Sequence, residues 1–205
     1  MRKRYDRDYF DAWYRGPGQS VGSRAALERN VTLAVAVAES VLARPLRSVL
    51  DVGCGEGRWQ PVLHRLRPKA SYLGIDSSEY AVERFGKRRN LRLGAFEELD
   101  LHVFDRPFDL VVCADVLHYL TPQEVRRGLP ALVERTGGPA LLEVFTSADE
   151  IEGDDVEFFR RSPDWYLQLF GSAGLRPLGL QMYVPDEVAE VLDALDLPAK
   201  RKEDP

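Results

Sequence analysis

The sequence predicts an α/β fold in which a doubly wound, mostly parallel β-sheet carries helices on both faces. Three features predict it: strand-like segments that are apolar on both sides, helical patterns between them, and a glycine-rich turn after the first strand. Continuously apolar strands are typical of parallel sheets, because helices cover both faces of such a sheet. With 205 residues, the chain is long enough for one domain with a substantial core.

Six segments rich in Val, Leu and Ile are predicted to be strands, and helical patterns lie between and around them. The predicted strands cover residues 48–52, 71–75, 90–93, 108–113, 139–145 and 178–184. The predicted helices cover residues 7–14, 23–43, 59–66, 80–87, 122–134, 164–170 and 186–195. Because the residues after Val184 fit a helix and a charged tail, we expect a sheet of six strands, or seven if one more is present.

Composition limits the classes of function. The chain has a net charge of −5 at pH 7 and lacks the broad basic surface of a nucleic-acid-binding protein. Cys54 and Cys113 have no ligand-spaced Cys or His neighbours, so we expect neither a disulfide framework nor a metal site. No secretory signal is recognisable, and the most apolar helical stretch is too short to span a membrane. We therefore expect a cytoplasmic monomer or homodimer without nucleic-acid or membrane partners.

The turn Asp51-Val52-Gly53-Cys54-Gly55-Glu56-Gly57 is the most informative segment. Glycines let the backbone turn tightly and approach a ligand at the carboxyl ends of the strands. The nicotinamide fingerprint G-x-G-x-x-G has a glycine where this chain has Arg58, and the carboxylate of Asp51 disfavours a pyrophosphate. An acidic site suits S-adenosylmethionine, which carries an ammonium and a sulfonium group and no phosphate.

Asp76 ends the second predicted strand and follows Gly57 by 19 positions. A carboxylate about 20 residues after a glycine-rich turn can accept hydrogen bonds from both ribose hydroxyls of a bound nucleoside. Nicotinamide and adenosylmethionine folds share this feature, so Asp76 predicts a nucleoside ligand without selecting one.

With these motifs, the sequence resembles the Rossmann-like, class I S-adenosylmethionine-dependent methyltransferases. The resemblance covers about residues 47–184 and follows the family's order and spacing. Its motifs lie at residues 51–57, 74–76, 94–99, 108–120 and 137–142. It implies a single domain with an N-terminal helical lid (1–43), a cofactor-binding core (44–184) and a C-terminal helix and tail (185–205).

The resemblance also implies the cofactor and most of its site. S-adenosylmethionine would be bound, and S-adenosylhomocysteine released, without a metal ion. The residues implied in cofactor binding at the motif positions are Asp51, Gly53, Cys54, Gly55, Asp76, Ser77, Phe96, Glu97, Ala114 and Val116. Ala95 stands where the family often has an acidic residue, so we expect Glu97 or a backbone carbonyl to accept from the adenine amino group.

The N-terminal aromatic residues have two interpretations. Tyr5, Tyr9 and Trp13 have the spacing of one helical face, which either packs on the sheet edge or covers the site and excludes water. Similar family members contact the methionine part of the cofactor with a Trp-Tyr pair followed by an Arg. Trp13, Tyr14 and Arg24 match that pattern.

His118, just past the fourth predicted strand, is the candidate general base, since an imidazole takes up a proton near neutral pH. The alternative is that it packs beside the cofactor. Asp115 and Glu143 are further candidates for a functional role. The alternatives are that Asp115 faces solvent at the start of a helix and that Glu143 faces a neighbouring helix.

The acidic loop 149–155 is either a solvated surface or a means of attracting a cationic amine substrate. Phe158, Phe159 and Trp165 are expected to supply apolar walls beside it.

The function that the resemblance implies is methyl transfer to an O or N atom of a small-molecule acceptor. The alternatives are a non-catalytic adenosylmethionine-binding or scaffold protein, a protein methyltransferase and an NAD-dependent oxidoreductase. Ala114-Asp115-Val116-Leu117 replaces the N/D/S-P-P-Y/F/W motif of nucleic-acid amino-methyltransferases, which disfavours that class.

Overall fold

Seven strands form one sheet in the computed structural model, which describes residues 3–16, 23–150, 154–192 and 197. The strands are β1 (Ser48–Val52), β2 (Ser71–Asp76), β3 (Leu91–Leu93), β4 (Leu110–Ala114), β5 (Ala140–Glu143), β6 (Leu175–Gly179) and β7 (Met182–Pro185). The helices are α1 (Arg7–Arg15), α2 (Arg24–Leu42), α3 (Trp59–Leu66), α4 (Glu79–Arg89), α5 (Pro122–Glu134), α6 (Pro163–Ser172) and α7 (Asp186–Ala189). Short 3₁₀ helices cover Phe96–Leu101 and Leu117–Tyr119.

The strand order is β3-β2-β1-β4-β5-β7-β6. Strands β1 to β5 are parallel to one another, whereas β7 is antiparallel to both β5 and β6. The order reverses between β1 and β4, and in doubly wound sheets a ligand crevice opens at the carboxyl ends of the strands beside such a reversal. The predicted fold class is confirmed.

The prediction of one strand over residues 178–184 is wrong, because a β-hairpin occupies this region and brings the sheet to seven strands. Two residues, Leu180 and Gln181, join β6 to β7 with positive φ angles of 51° and 59°. Two-residue hairpin turns of this type normally contain Asn or Gly, so the sequence carries no ordinary hairpin signal here. The register of β6 shifts between Pro177 and Gly179.

Two predicted helices also differ at their ends. The side chain of Asp6 accepts a hydrogen bond from the Tyr9 N–H and starts α1 at Arg7. Tyr5 therefore precedes the helix, and the prediction that it shares a helical face with Tyr9 and Trp13 is wrong. Helix α7 ends at Ala189, and residues 193–195 of the predicted final helix lie outside the described residues.

Alternating strand residues face two apolar cores. Leu50, Val111 and Leu142 point toward α5 and α6, whereas Val49 and Val112 point toward α2 and α3. Burial on both faces explains why the central strands are apolar along their whole length. Within the described ranges, no helix is both long and apolar enough to cross a membrane.

Asp109 connects the end of α2 to the start of β4. The two guanidinium NH groups of Arg44 each donate a hydrogen bond of 2.7 Å to its carboxylate, and the Arg47 N–H donates a third. Burial raises the pKa of this carboxyl, but the donated hydrogen bonds outweigh burial and hold the pKa of Asp109 below its ordinary value.

We expect Asp109→Asn to lower the free energy of unfolding at pH 7 by about 1–3 kcal/mol, because a buried charged hydrogen-bond acceptor is lost. The depressed pKa means that Asp109 stabilises the fold above the unfolded pKa of about 3.9, and that this contribution disappears as the pH falls further. Urea unfolding of both proteins at several pH values measures the difference. A difference that stays constant down to pH 3 would contradict this account.

Candidate active site

A cavity of about 1350 Å³ lies at the carboxyl ends of β1, β2, β4 and β5. The predicted motifs meet there, as the topology requires. The predicted cofactor-binding residues that line it are Tyr14, Asp51, Gly53, Cys54, Gly55, Asp76, Ser77, Phe96, Glu97, Ala114 and Val116. Known ligand pockets are typically about 300–1,000 Å³, so this cavity has room for two molecules side by side.

The glycine-rich turn after β1 offers bare backbone to the cavity. Gly53 and Gly55 have φ angles of 72° and 53°, which side chains disfavour. A Cβ at Gly53 would lie 2.2 Å from a methyl group of Val116, and a Cβ at Gly55 would lie 2.7 Å from the Tyr14 hydroxyl. Both positions therefore require glycine, by conformation and by space.

Asp76 holds this turn in place from the end of β2. Its Oδ2 accepts a hydrogen bond of 2.6 Å from the Gly55 N–H, and its Oδ1 accepts one of 2.8 Å from the Ser78 N–H. Burial raises the pKa of Asp76, although both N–H groups favour the charged form. Each carboxylate oxygen can accept a further hydrogen bond, so the predicted contact with ribose hydroxyls remains open to it.

Asp51 lies beside the turn at the end of β1. Its Oδ2 accepts a hydrogen bond of 2.6 Å from the Tyr72 hydroxyl. Burial raises the pKa of Asp51 to about 7, with an added contribution from the charge of Asp76 and opposition from Tyr72. A positive group of a ligand near Asp51 would shift this equilibrium toward the carboxylate.

Tyr80, in the first turn of α4, was not predicted from the sequence. Its hydroxyl is buried and has no hydrogen-bond partner among the described residues, yet the residue lines the cavity. A buried hydroxyl without a partner costs free energy, which a polar ligand would recover. The glycine cradle and this hydroxyl fit a polar nucleoside ligand.

Helix α1 covers one side of the cavity. Phe10 packs against Tyr14 and Tyr80, with ring centroids 4.9 and 5.6 Å apart. Arg15 at the end of α1 pairs with Glu56 in the glycine-rich turn. This helix therefore lies where a lid was predicted.

Trp13 and Arg24, which the resemblance groups with Tyr14, do not line the cavity. Arg24 is the first residue of α2, where its side chain is 81% exposed and pairs with Glu28 one helical turn along. Of the three, only Tyr14 faces inward, because Phe10 and Tyr14 are four positions apart on the inner face of α1.

His118 is fully buried and does not reach the cavity. Its Nδ1 accepts a hydrogen bond of 3.3 Å from the Phe145 N–H, and its Nε2 lies 2.9 Å from Asp115 Oδ1. The ring packs against Phe158 and Tyr119 at centroid distances of 4.7 and 4.4 Å. His118 therefore packs behind Asp115 and does not face the cavity.

Two carboxylates face the cavity at the ends of β4 and β5. Asp115 has a left-handed backbone conformation, with φ at 62°, and Glu143 accepts a hydrogen bond of 3.3 Å from the Asn30 side chain. Burial raises the pKa of Glu143, and the charge of Asp115 adds to the effect. A carboxylate with a raised pKa is suited to accept a proton.

The acidic loop and its predicted aromatic neighbours differ in whether they line the cavity. Asp149 accepts hydrogen bonds from Thr146 within its own loop, and residues 151–153 lie outside the described residues. Phe158 and Phe159 line the cavity as predicted. Trp165 does not, because it packs under the guanidinium of Arg161 at 4.6 Å.

The fold is that of the class I, Rossmann-like methyltransferases. Residues 49–136 match the family described as "Methyltransferase domain". The trans-aconitate 2-methyltransferase of Deinococcus radiodurans is 30% identical over 156 residues, which cover 74% of this chain and 58% of that protein. The chain thus spans less than two thirds of the length of this relative.

Solved structures show the same fold. A SAM-dependent methyltransferase from Archaeoglobus fulgidus has a TM-score of 0.62 at 18% identity, over 82% of this chain and 74% of that one. CalS10, an amino pentose methyltransferase from Micromonospora echinaspora whose structure contains SAM, has a TM-score of 0.62 at 16% identity, over 85% and 94% of the two chains. The predicted resemblance to class I methyltransferases is confirmed.

We expect the ligand-free protein to lose stability through Asp51 as the pH rises. The folded pKa of about 7 lies above the unfolded value of about 3.9. The contribution of Asp51 is therefore fully present below pH 4 and is lost as the pH rises through 7. Asp51→Asn keeps an acceptor for the Tyr72 hydroxyl and removes the titration.

Urea unfolding of wild type and Asp51→Asn between pH 4 and 8 measures this loss. The stability of wild type relative to the variant should fall by about 1.4 kcal/mol for each pH unit between the two pKa values. Parallel pH profiles for the two proteins would show that Asp51 is already ionised in the folded state.

Proposed function

We propose that this chain transfers the methyl group of S-adenosylmethionine to an oxygen or nitrogen atom of a small-molecule acceptor. The observation that supports this most is the bare glycine turn held between two buried carboxylates, Asp51 and Asp76. A turn without side chains admits a ligand close to the backbone, and the carboxylates suit a ligand with hydroxyl and cationic groups.

The residues present fit this cofactor part by part. Asp76, Phe96 and Val116 line the cavity, and in this proposal Asp76 accepts hydrogen bonds from the ribose hydroxyls while Phe96 and Val116 contact the adenine. In the same proposal Asp51 pairs with the ammonium group, and the unpartnered Tyr80 hydroxyl binds a polar atom of the cofactor. When bound, S-adenosylmethionine supplies an already activated methyl group, so the protein needs chiefly to align the acceptor.

Asp115 and Glu143 are the groups that we assign to the acceptor's proton. Both line the cavity, whereas His118 lies behind Asp115 and is a positioning residue. This assignment replaces the prediction of His118 as the general base. A neutral nucleophile loses a proton when it gains a methyl group, and a nearby carboxylate can take it.

A non-catalytic binding protein is the main alternative. The carboxylates beyond the cofactor turn favour an enzyme, since binding alone would not require Asp115 and Glu143 to face the rest of the cavity. A cytoplasmic location, a monomeric or homodimeric state and the division into lid, core and tail stay predictions.

We expect S-adenosylhomocysteine to bind and Asp76→Ala to weaken this binding by about 100-fold or more. The variant loses two hydrogen bonds to a charged acceptor and loosens Gly55, and about 1.4 kcal/mol corresponds to a tenfold change. Isothermal titration calorimetry measures the affinity of both proteins for S-adenosylhomocysteine. Asp105→Ala, which removes an exposed carboxylate, is the control.

NADH serves as the competing ligand in the same titration. Binding of NADH but not of S-adenosylhomocysteine would overturn the proposal and favour an oxidoreductase. Equal affinities of wild type and Asp76→Ala for S-adenosylhomocysteine would place the nucleoside elsewhere.

We expect binding of the cofactor to release protons near pH 7. The pKa of Asp51 is about 7 in the ligand-free site, and an ammonium group beside it would lower that pKa. Calorimetry in two buffers of different ionisation enthalpy gives the number of protons released. Asp51→Asn should remove this release, and release that persists in the variant would exclude Asp51 as its source.

A further inference from the structure

The ammonium group of Lys3 lies in a cage of aromatic rings. Its Nζ is 3.8 Å from the ring centroid of Tyr119, 5.3 Å from that of Tyr9 and 5.4 Å from that of Tyr5. It also pairs with the carboxylate of Asp154, and the side chains of Lys3 and Asp154 are each only 7% exposed. Aromatic faces and a carboxylate around one point are the arrangement by which proteins bind organic ammonium ions.

Two members of this cage, Tyr119 and Asp154, are held by contacts that do not involve Lys3. The Tyr119 hydroxyl donates a hydrogen bond of 2.9 Å to the Asp154 carbonyl oxygen. The Val156 N–H donates one of 3.2 Å to Asp154 Oδ1, and Phe158 packs edge-on against Tyr119. Tyr119 and Asp154 therefore keep their places if the ammonium leaves.

The cage opens into the candidate active site. All three tyrosines line the same cavity as the cofactor turn and Asp115. Burial raises the pKa of Tyr119, and the charges of Asp115 and Asp154 raise it further, so both carboxylates act on this ring. Of the described residues that line the cavity, eleven are Asp or Glu and three are Lys or Arg. Its charge therefore favours a cationic molecule over an anion such as trans-aconitate.

We propose that the cage is the subsite for an ammonium group of the methyl acceptor, and that Lys3 fills it while no acceptor is bound. The proposal rests on the proposed methyltransferase function. Lysine has a flexible four-carbon side chain, so its Nζ can leave the cage while Tyr5 and Tyr9 stay on the lid. A protonated amine has no lone pair, so the methyl group goes to a different oxygen or nitrogen of the same acceptor.

Tetramethylammonium tests the cage directly, because it offers a permanent cation and no methyl-accepting atom. Its binding to the full chain is measured by calorimetry with saturating S-adenosylhomocysteine, in wild type, Lys3→Met and Lys69→Met. We expect Lys3→Met to bind tetramethylammonium at least about tenfold more tightly than wild type, since the competing ammonium is gone. Lys69 is exposed in the turn before β2, so Lys69→Met controls for the lost charge.

Second substitutions are made in the Lys3→Met variant. Each double variant is compared with Lys3→Met, so an effect of Lys3→Met on the stability of the lid is present in both proteins. Asp154→Asn and Tyr119→Leu should each abolish the gain, while S-adenosylhomocysteine binding remains that of Lys3→Met. The proposal for the cage would be overturned if wild type and Lys3→Met bound tetramethylammonium equally weakly while both bound S-adenosylhomocysteine normally. That result would leave the proposed function intact. If the wild-type protein does not bind S-adenosylhomocysteine, the proposed function is overturned, and with it the role of the cage as an acceptor subsite.

Discussion

The hydrogen bond from the Gly55 N–H to the Asp76 carboxylate is the interaction on which the site depends. It joins the turn after β1 to the end of β2, so the two neighbouring strands present one rigid edge. The same carboxylate accepts from Ser78, the N-cap residue of α4, and thereby fixes where that helix begins. The carboxylate of Asp76 thus supports both the glycine-rich turn and the start of the helix that carries Tyr80.

A second set of contacts supports the part of the cavity around Asp115 and Tyr119. Arg161 is buried and donates hydrogen bonds to the carbonyl oxygen of Leu117 and to the Tyr166 hydroxyl. The Phe159 N–H donates to the carbonyl oxygen of His118. The segments that follow β4 and β5 are thus fastened to each other, which holds Asp115 and Tyr119 against the cavity. Side chains on loops need such support, because a loop backbone alone does not fix their direction.

The sequence was sufficient to predict the central sheet and which residues lie around the glycine-rich turn. Asp51, Gly53 and Asp76 lie in a strand, turn and strand whose spacing is set by the fold itself, so their neighbourhood could be predicted. The hairpin escaped prediction because Leu180 and Gln181 are unusual residues for a turn with positive φ angles. The burial of His118 depends on Phe158, which lies 40 positions along the chain in a segment without periodicity. The cage around Lys3 was not predicted either, because its rings and carboxylate come from three separate segments of the chain.

Both edges of the sheet are poor templates for another strand. At one edge, β3 has only three residues. At the other, β6 contains Pro177, which has no N–H to donate, and its register shifts directly afterwards. Neither edge, in the part of the chain that the structure describes, offers a continuous row of unpaired backbone groups. Growth of the sheet from copy to copy, the usual start of ordered aggregation in β-rich chains, is therefore disfavoured, and contact between copies would have to use helices and side chains.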